Sequence, residues 1–361
     1  MKSKNKKIPT RQVMVGTVAV GGNAPLSVQS MTKTNTRDVS ATLDQINQLI
    51  EAGCDIVRVA VPDVSSVKAF GSIAARVSVP LVADIHFDHK LALMALEEGA
   101  AKVRVNPGNL GGRSRLEQVA ARAADLNRAI RVGVNSGSIP GDILDSHGGV
   151  TPEAMVAAAV RYLAWLEEMH FKNIIVSLKS SDVFTTIAAC RLFSKKFDVP
   201  QHLGITESGG LLAGTVKSSV GIGILLAEGI GDTIRVSLSA PPIEEVRVGK
   251  EIVRCLGLGA PGPIVISCPT CARVCIDVIG LYHQVESVLE KSKTPITIAI
   301  MGCAVNGPGE ARGADLAVAG FNETTAGLYR NGRLLRKVKI KEVAGELLAE
   351  LEQFEQSIGQ S

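Results

Sequence analysis

One pattern recurs eight times before residue 240: a short run rich in β-branched residues ends in polar side chains, and a longer helical stretch rich in Ala and Leu follows it. The runs are LSVQSMT (26–32), DIVRVAV (55–61), PLVADIHF (80–87), AKVRVNP (101–107), RVGVNSG (131–137), NIIVSLK (173–179), HLGITES (202–208) and TIRVSLS (233–239). Helical segments such as EAMVAAAVRYLAWLEEMH (153–170) separate them. Strand–helix alternation implies parallel strands joined by right-handed crossovers, because a twisted strand feeding a helix packs back onto its sheet only that way. Eight such units predict an α/β fold, an N-terminal (β/α)8 TIM-like barrel. A doubly wound open sheet is the alternative arrangement. Ahead of the first unit, Val13 and Val15, then Val18 and Val20, alternate around Gly16, which reads as a β-hairpin.

The texture changes after residue 240. PPIEEVRVGKEIVRCLGLG (241–259) reads as the last barrel helix, and APGP (260–263) as a linker rich in helix and strand breakers. Strands are predicted at 263–269, 296–303 and 315–320, with a strand pair in GLYRNGRLLRKVK (327–339) turning at Asn331-Gly332. Helices at about 272–291 and 341–357 complete a small C-terminal α+β domain. The expected organisation is a barrel over 1–258 and a second domain over 263–361.

Residues two apart on a strand face the same way. Asp84 then shares a face with His86, Arg104 with Asn106, and Ser177 with Lys179. Arg131, Gly133 and Asn135 line up, as do His202, Gly204 and Thr206, and Arg235 with Ser237; Arg58 holds the matching place in the second strand. In a barrel these faces point inward at the carboxyl ends of the strands, where barrel enzymes build their sites. A structural hydrogen-bond network would account for any one of these residues but not for the set. Arg58, Arg104, Arg131, Lys179 and Arg235 put five cations around one mouth, and Asp84 and Glu207 are the acids expected near them. Unpaired buried charge is costly, so such a ring expects an anionic ligand. Arg forks match phosphate oxygens, and a small molecule with more than one phosphate is predicted. The loops NPGNLGG (106–112) and NSGS (135–138) can add backbone N–H donors. No G-x-x-x-x-G-K-[ST] or G-x-G-x-x-G run follows a strand, so a nucleotide is not indicated. With aromatics at 3% and a net charge of +4, neither stacking on nucleic-acid bases nor a polyanionic partner is expected.

Three of the seven cysteines lie in CPTCARVC (268–275); the others are Cys54, Cys190, Cys255 and Cys303. An odd count, clustered and without a secretion signal, argues against a disulfide framework and for a reducing cytoplasm. The basic start MKSKNKKIPTRQ leads into no apolar signal region, and no run approaches the roughly 18 apolar residues of a membrane span. A four-cysteine zinc site from Cys268, Cys271, Cys275 and Cys303 is one reading of the cluster. Cys275 as a small buried helix residue is another. An iron–sulfur cluster is preferred, because thiolates hold such clusters and a neighbouring Pro, here Pro269, is common. The C-x2-C-x2-C-x3-C run of ferredoxins is absent, which argues against a plain electron carrier. MGCAVNGPGEARGAD (301–315) follows Cys303 with a Gly/Pro-rich loop that brings Glu310 close. Three sulfurs and one carboxylate would make an asymmetric cluster, since thiolate holds iron firmly and carboxylate exchanges.

CPTC and GC-x2-NGPGE, behind a barrel containing VRVAVP, DIHF, VRVNPGN, GVNSGS, SLKSSD and LGITESG, resemble the 4-hydroxy-3-methylbut-2-enyl diphosphate synthase family of the non-mevalonate isoprenoid pathway. The similarity runs over almost the whole chain, in the shorter two-domain bacterial form. It implies a [4Fe-4S] cluster on Cys268, Cys271, Cys303 and Glu310, with Cys275 not a ligand. It implies 2-C-methyl-D-erythritol 2,4-cyclodiphosphate as substrate, a two-electron reductive ring opening with loss of water, and a flavodoxin or ferredoxin as donor. The expected substrate-binding set is Arg58, Arg104, Asn106, Arg131, Asn135, Lys179, His202, Thr206, Arg235 and Ser237. Asp84, His86 and Glu207 are the candidates for proton handling, beside Glu310. The basic stretch RNGRLLRKVKIK (330–341) reads either as a dock for an acidic donor or as a solvated hairpin. Chain direction points to a homodimer: the helix after the last strand runs back from the mouth, so a cluster domain is expected to serve the partner's barrel. Two rival classes remain at this level. A zinc-stabilised barrel lyase or transferase acting on a phosphorylated small molecule would not be brown. A non-catalytic iron–sulfur sensing protein would leave five inward cations without a purpose.

Overall fold

Val13–Val15 and Val18–Val20 pair antiparallel as strands β1 and β2, turning through Gly16 at φ +56°. Eight parallel strands follow: β3 (Ser27–Met31), β4 (Ile56–Ala60), β5 (Leu81–Asp84), β6 (Lys102–Val105), β7 (Ala129–Asn135), β8 (Ile174–Lys179), β9 (His202–Leu203) and β10 (Thr233–Ile234). They lie side by side in chain order, with β10 against β3. A parallel bridge between Val176 and Gln201 joins β8 to the start of β9 and closes the ring. The barrel is therefore the TIM-like form, not the open sheet. The computed structural model describes residues 7–259, 262–289, 292 and 294–359. It divides into two units, Met1–Gly259 and Ala260–Ser361.

Alternation on the strands builds the barrel. In β4, Val57 and Val59 turn outward into the core beneath the helices while Arg58 turns inward. The helices start where an Asp or Thr can cap them. Asp63 accepts the Ser66 N–H at 2.8 Å ahead of Val64–Ala74, and Asp38, Asp88, Thr151 and Asp182 cap four others. Val67, Phe70 and Ile73 of Val64–Ala74 then bury one face, each worth about 1.5–3 kcal/mol. The hairpin closes the amino end of the barrel. Val13, Val15 and Val20 form a separate cluster with Ile56, Val82, Ala101, Ala129 and Ile175, which lie at the starts of β4 to β8.

The last two strands are shorter than the sequence pattern predicts, two residues each. Beyond them the chain continues as irregular backbone that still carries Gly204, Thr206, Arg235 and Ser237. The last helix of the unit is Pro242–Cys255, and Ala260 and Pro261 of the predicted linker lie outside the described residues.

The second unit is a sheet in the order β11 (Ile264–Ser267), β12 (Thr297–Met301), β13 (Leu316–Gly320), β14 (Thr325–Arg330) and β15 (Arg333–Lys339). The first three run parallel and the last two antiparallel. Asn331 and Gly332 both take positive φ in the β14–β15 turn, as a tight hairpin requires. Helices Val278–Leu289 and Val343–Gly359 cover the sheet. The first begins at Val278 rather than near 272, which leaves Cys275 in irregular backbone, half-buried, and not on a helix.

Candidate functional site

Strand register sets the polar interior of the barrel. Asp84, Arg104 and Arg131 are neighbours across β5, β6 and β7, and Asn135 sits beside Lys179 across β7 and β8. Arg58, Asp84, Arg104, Arg131, Lys179 and His202 are all buried. Asp84 is the hub. Its Oδ1 lies 3.3 Å from Arg104 Nη1 and its Oδ2 lies 3.9 Å from Arg58 Nε and 3.4 Å from His86 Nε2. Arg104 Nη1 is also 3.1 Å from His86 Nε2. Burial pushes the Asp84 carboxyl up, but Arg58, His86 and Arg104 outweigh it and hold the group well below the usual carboxylate range.

Two further members escaped the sequence reading. Lys102, fully buried, lies two residues before Arg104 on the same inward face, and its Nζ donates to Gln29 Oε1 at 3.4 Å. The i−2 spacing was the available signal. Glu245, from the first turn of Pro242–Cys255, is buried and pairs with Arg235 at 3.3 Å. It also accepts from the Ser30 hydroxyl at 3.0 Å and the Leu238 N–H at 3.1 Å. Glu245 therefore takes the place among the cations that Glu207 was expected to fill. Glu207 is exposed, with φ +53°.

Six basic side chains thus face two carboxylates, and several polar atoms around them are left over. Arg104 Nε, Arg131 Nε and Nη1, Arg235 Nε and both ring nitrogens of His202 are buried without a hydrogen-bond partner among the described residues. Burial first, then Arg131 and Arg58, push Lys102 far below the ordinary lysine range. Burial, then Arg131, Arg235, Arg58 and Arg104, do the same to Lys179. Burial first, then Lys179, Arg131, Lys102 and Arg58, push His202 well below the ordinary histidine range. Arg235 falls to about 10, through burial and Arg58, against the pull of Glu245.

Two glycines make room for these side chains. A Cβ on Gly204 would stand 2.4 Å from the Arg235 carbonyl oxygen and 2.5 Å from Lys179 Nζ; one on Gly133 would stand 3.0 Å from Arg104 Nε. At the rim, Asn106 Nδ2 donates to the Ser138 hydroxyl at 2.7 Å, which ties the two Gly-containing loops together. Thr206 N–H donates to the Ser180 carbonyl at 3.2 Å, and the Ser237 carbonyl accepts from the Ser208 hydroxyl. Asn135, Thr206 and Ser237 are half-buried.

The second candidate set lies at the carboxyl ends of β11 and β12. Cys268 directly follows β11, and its N–H donates to the Ile300 carbonyl at 2.9 Å. Cys303 follows β12 by two residues, and Glu310 lies in the short helix Gly307–Ala311. Parallel neighbours therefore deliver Cys268 and Cys303 to one end of the sheet, with Cys271 in the loop after Cys268. Thr270, between the two cysteines, holds φ +63°, an uncommon conformation for a β-branched residue. The Cys275 N–H is tied to the Gly302 carbonyl at 2.8 Å, and its Sγ donates to the Arg273 carbonyl at 3.3 Å.

All seven cysteines are free thiols. The N–H groups of Val305 and Asn306 and the Arg273 side chain hold the Cys303 thiol below its ordinary range, which favours the thiolate a soft metal needs. Free thiols, a donor-rich Cys303 and an exposed carboxylate on the same loop fit a cluster held by three sulfurs and one oxygen. Among the described residues, no three His, Cys, Asp or Glu side chains converge on a position for a single metal ion.

The basic hairpin stands elsewhere. Arg330 pairs with the first residue of β13, so the 331–332 turn lies at the sheet end opposite the cysteines. Much of its charge is also spent internally, Arg330 and Arg336 on Glu350, and Arg336 on Glu346.

Comparison with known proteins covers both units. The model of the GcpE TIM-barrel domain matches residues 10–250, and that of the GcpE protein C-terminal domain matches residues 264–353. A Geobacter sulfurreducens protein named 4-hydroxy-3-methylbut-2-en-1-yl diphosphate synthase (flavodoxin) is 51% identical over 96% of this chain and 98% of its own. A Bacillus subtilis protein of the same name is 50% identical over 95% of this chain and 91% of its own. Among solved structures, a dihydropteroate synthase from Stenotrophomonas maltophilia superposes with a TM-score of 0.50 at 15% identity, covering 67% of this chain and 98% of that one. That likeness concerns the barrel fold alone.

Proposed function

The chain belongs to the GcpE family, and from that premise we propose how its residues carry out the reaction. The chain is an enzyme that makes 4-hydroxy-3-methylbut-2-en-1-yl diphosphate, uses a redox-active cofactor and takes its electrons from a flavodoxin. The barrel holds the substrate, 2-C-methyl-D-erythritol 2,4-cyclodiphosphate. One observation carries this assignment: five buried basic side chains, with the half-buried Arg235 beside them, face two carboxylates, and guanidinium nitrogens are left unpartnered. Arg58, Arg104, Arg131, Lys179 and Arg235 bind the phosphate oxygens and fix the ring's orientation. Asn106, Asn135, His202, Thr206 and Ser237 add neutral hydrogen bonds at the rim and wall. Substituting Arg131→Ala should weaken binding of the cyclic diphosphate at least tenfold, since a charge-assisted bond is worth about 1.5–3 kcal/mol. Iron content should be unchanged. Unaltered affinity would sink the assignment.

Cys268, Cys271, Cys303 and Glu310 hold a [4Fe-4S] cluster, with Cys275 outside the ligand set. When bound, such a cluster would supply electrons one at a time, and Glu310, a carboxylate among three thiolates, would be its most readily exchanged ligand. Two electrons and two protons enter, the ring opens at carbon–oxygen and one oxygen leaves as water. Asp84 is held ionised by Arg58, Arg104 and His86, so it positions cations rather than giving up a proton. The exposed His86 and Glu207 are left to handle protons.

The working form is a cytoplasmic homodimer in which each cluster unit serves the partner's barrel. Two observations favour it. The helix Pro242–Cys255 carries the chain about 21 Å back from the mouth at roughly 1.5 Å per residue. Leu212, Val216 and Val220 form an exposed apolar stripe at i, i+4 and i+8 on the helix Leu211–Ala227. A mixed dimer of a Cys303→Ser chain and an Arg131→Ala chain should regain activity that neither parent has. A mixed dimer as inactive as its parents would overturn the arrangement.

A further inference from the structure

We propose that substrate binding is coupled to proton uptake by the buried lysines of the barrel, Lys102 and Lys179, so that the anion and a proton enter the site together. The inference rests on the barrel's being the site of the cyclic diphosphate. Among the described residues, Lys102 has only the Gln29 side-chain oxygen as a hydrogen-bond acceptor, and neither lysine has a carboxylate within ion-pair distance.

The groups that face the pair are nearly all of one sign. Around Lys179 stand Arg131 from β7, Arg235 beyond β10, Arg58 from β4 and Arg104 from β6, with the buried Cys190 thiol behind it, itself pushed up to about 12 by burial. Around Lys102 stand Arg131 and Arg58. His202 faces both lysines, with its two ring nitrogens unpartnered. The two carboxylates are engaged elsewhere, Asp84 with Arg58 and Arg104, Glu245 with Arg235 and Lys33.

The four arginines keep their charge, because guanidinium is too strong a base to yield its proton near neutral pH. The lysines are the weaker bases, and in the empty barrel they carry the excess charge least readily. A cyclic diphosphate brings two negative charges into this cage. Each charge raises the proton affinity of the neighbouring amines. The proton comes from bulk water or buffer and ends on lysine Nζ, and no bond of the ligand is altered. The sign follows directly. The amines' pKa is low in the empty site and higher with the anion present. Affinity is therefore greatest at low pH and falls as pH rises through the pKa of the occupied state.

The ligand simplifies the measurement. Each phosphorus of the ring carries one ester and one anhydride oxygen, so the cyclic diphosphate has no proton to exchange near neutrality. Without a reductant the holoenzyme binds it without turning over. Titration calorimetry at one pH, in buffers of different ionisation enthalpy, then reads protons taken up by the protein. The expected result is an uptake approaching one proton per site at mildly alkaline pH, with Kd rising up to tenfold per pH unit for each proton coupled. Lys102→Met should lower the uptake and flatten the pH dependence. Lys102→Arg, which stays charged, should lower the uptake equally while keeping affinity closer to wild type. Tight binding with no uptake in any buffer, and a Kd independent of pH, overturns the coupling while leaving the substrate site intact. No binding at any pH overturns the site assignment and the coupling with it.

Discussion

Asp84→Asn should have opposite effects on stability and on anion binding. The carboxylate is 5% exposed and lies between two guanidiniums, Arg104 at 3.3 Å and Arg58 at 3.9 Å, with His86 at 3.4 Å. Breaking a buried pair by removing one partner costs about 3–5 kcal/mol, because the other charge stays buried and uncompensated. The amide keeps the shape and can still accept one bond, so a loss of about 3 kcal/mol is expected. In a unit of this size that lowers the melting temperature by roughly 6–12 °C. The same substitution removes a negative charge from an anion site. At about 8 Å and an effective dielectric near 20, one charge is worth about 2 kcal/mol to a unit of ligand charge, roughly thirtyfold in affinity. The cyclic diphosphate should therefore bind the variant more tightly at neutral pH. Acid unfolding supplies a third readout. The folded-state pKa of Asp84 is depressed, so its stabilisation is fully present above the unfolded value near 4 and is lost as pH falls below it. The variant's stability should vary less with pH over that acid range. Scanning calorimetry, ligand titration and a pH series test the three. An unchanged melting temperature, or weaker anion binding by a folded variant, would refute the electrostatic reading.

Cys275→Ala should retain iron and activity at a small packing cost, whereas Glu310→Ala should lose most activity and drive the cluster toward a three-iron form; iron analysis and electron paramagnetic resonance separate the outcomes, and the reverse pattern would make Cys275 the ligand. Deleting residues 11–21 should uncover Ile56, Val82, Ala101, Ala129 and Ile175 at the barrel's amino end and lower the melting temperature of the barrel unit. Equal melting temperatures in a calorimetric scan would refute that role.

Period-two alternation made the strands and most of the inward face legible. Arg58, Asp84, Arg104, Arg131, Lys179 and His202 converge because each sits at an inward position of its own strand. The same alternation places Lys102, two residues before Arg104, on the inward face, but at the start of its strand rather than at the carboxyl end where barrel sites are built. Glu245 was not legible in the same way. It lies on a helix and reaches Ser30, Leu238 and Arg235 from outside the strand pattern, a tertiary contact that no local periodicity encodes. The extents of β9 and β10 were overestimated because HLGITES and TIRVSLS keep a strand-like pattern beyond their hydrogen-bonded pairs. Cys275 looked helical because a helix does follow, three residues on.

The placement of the two carboxylates localises the unmatched charge. Asp84 serves Arg58 and Arg104 on one side of the ring, and Glu245 serves Arg235 and Lys33 where β3 and β10 meet. Arg131, Lys102 and Lys179, on β6 to β8, have no carboxylate within ion-pair distance among the described residues, and Arg131 has two nitrogens unpartnered. An unpaired guanidinium in a low-dielectric interior is costly, and an anion bound beside it offsets that cost. The side of the ring bounded by Arg131, Lys179 and His202 is therefore where a phosphate gains most. Gly133 and Gly204 stand on the same side, keeping Arg104 and Lys179 free of a Cβ that would displace them. Two absent side chains and two displaced carboxylates shape the anion seat as much as the cations do.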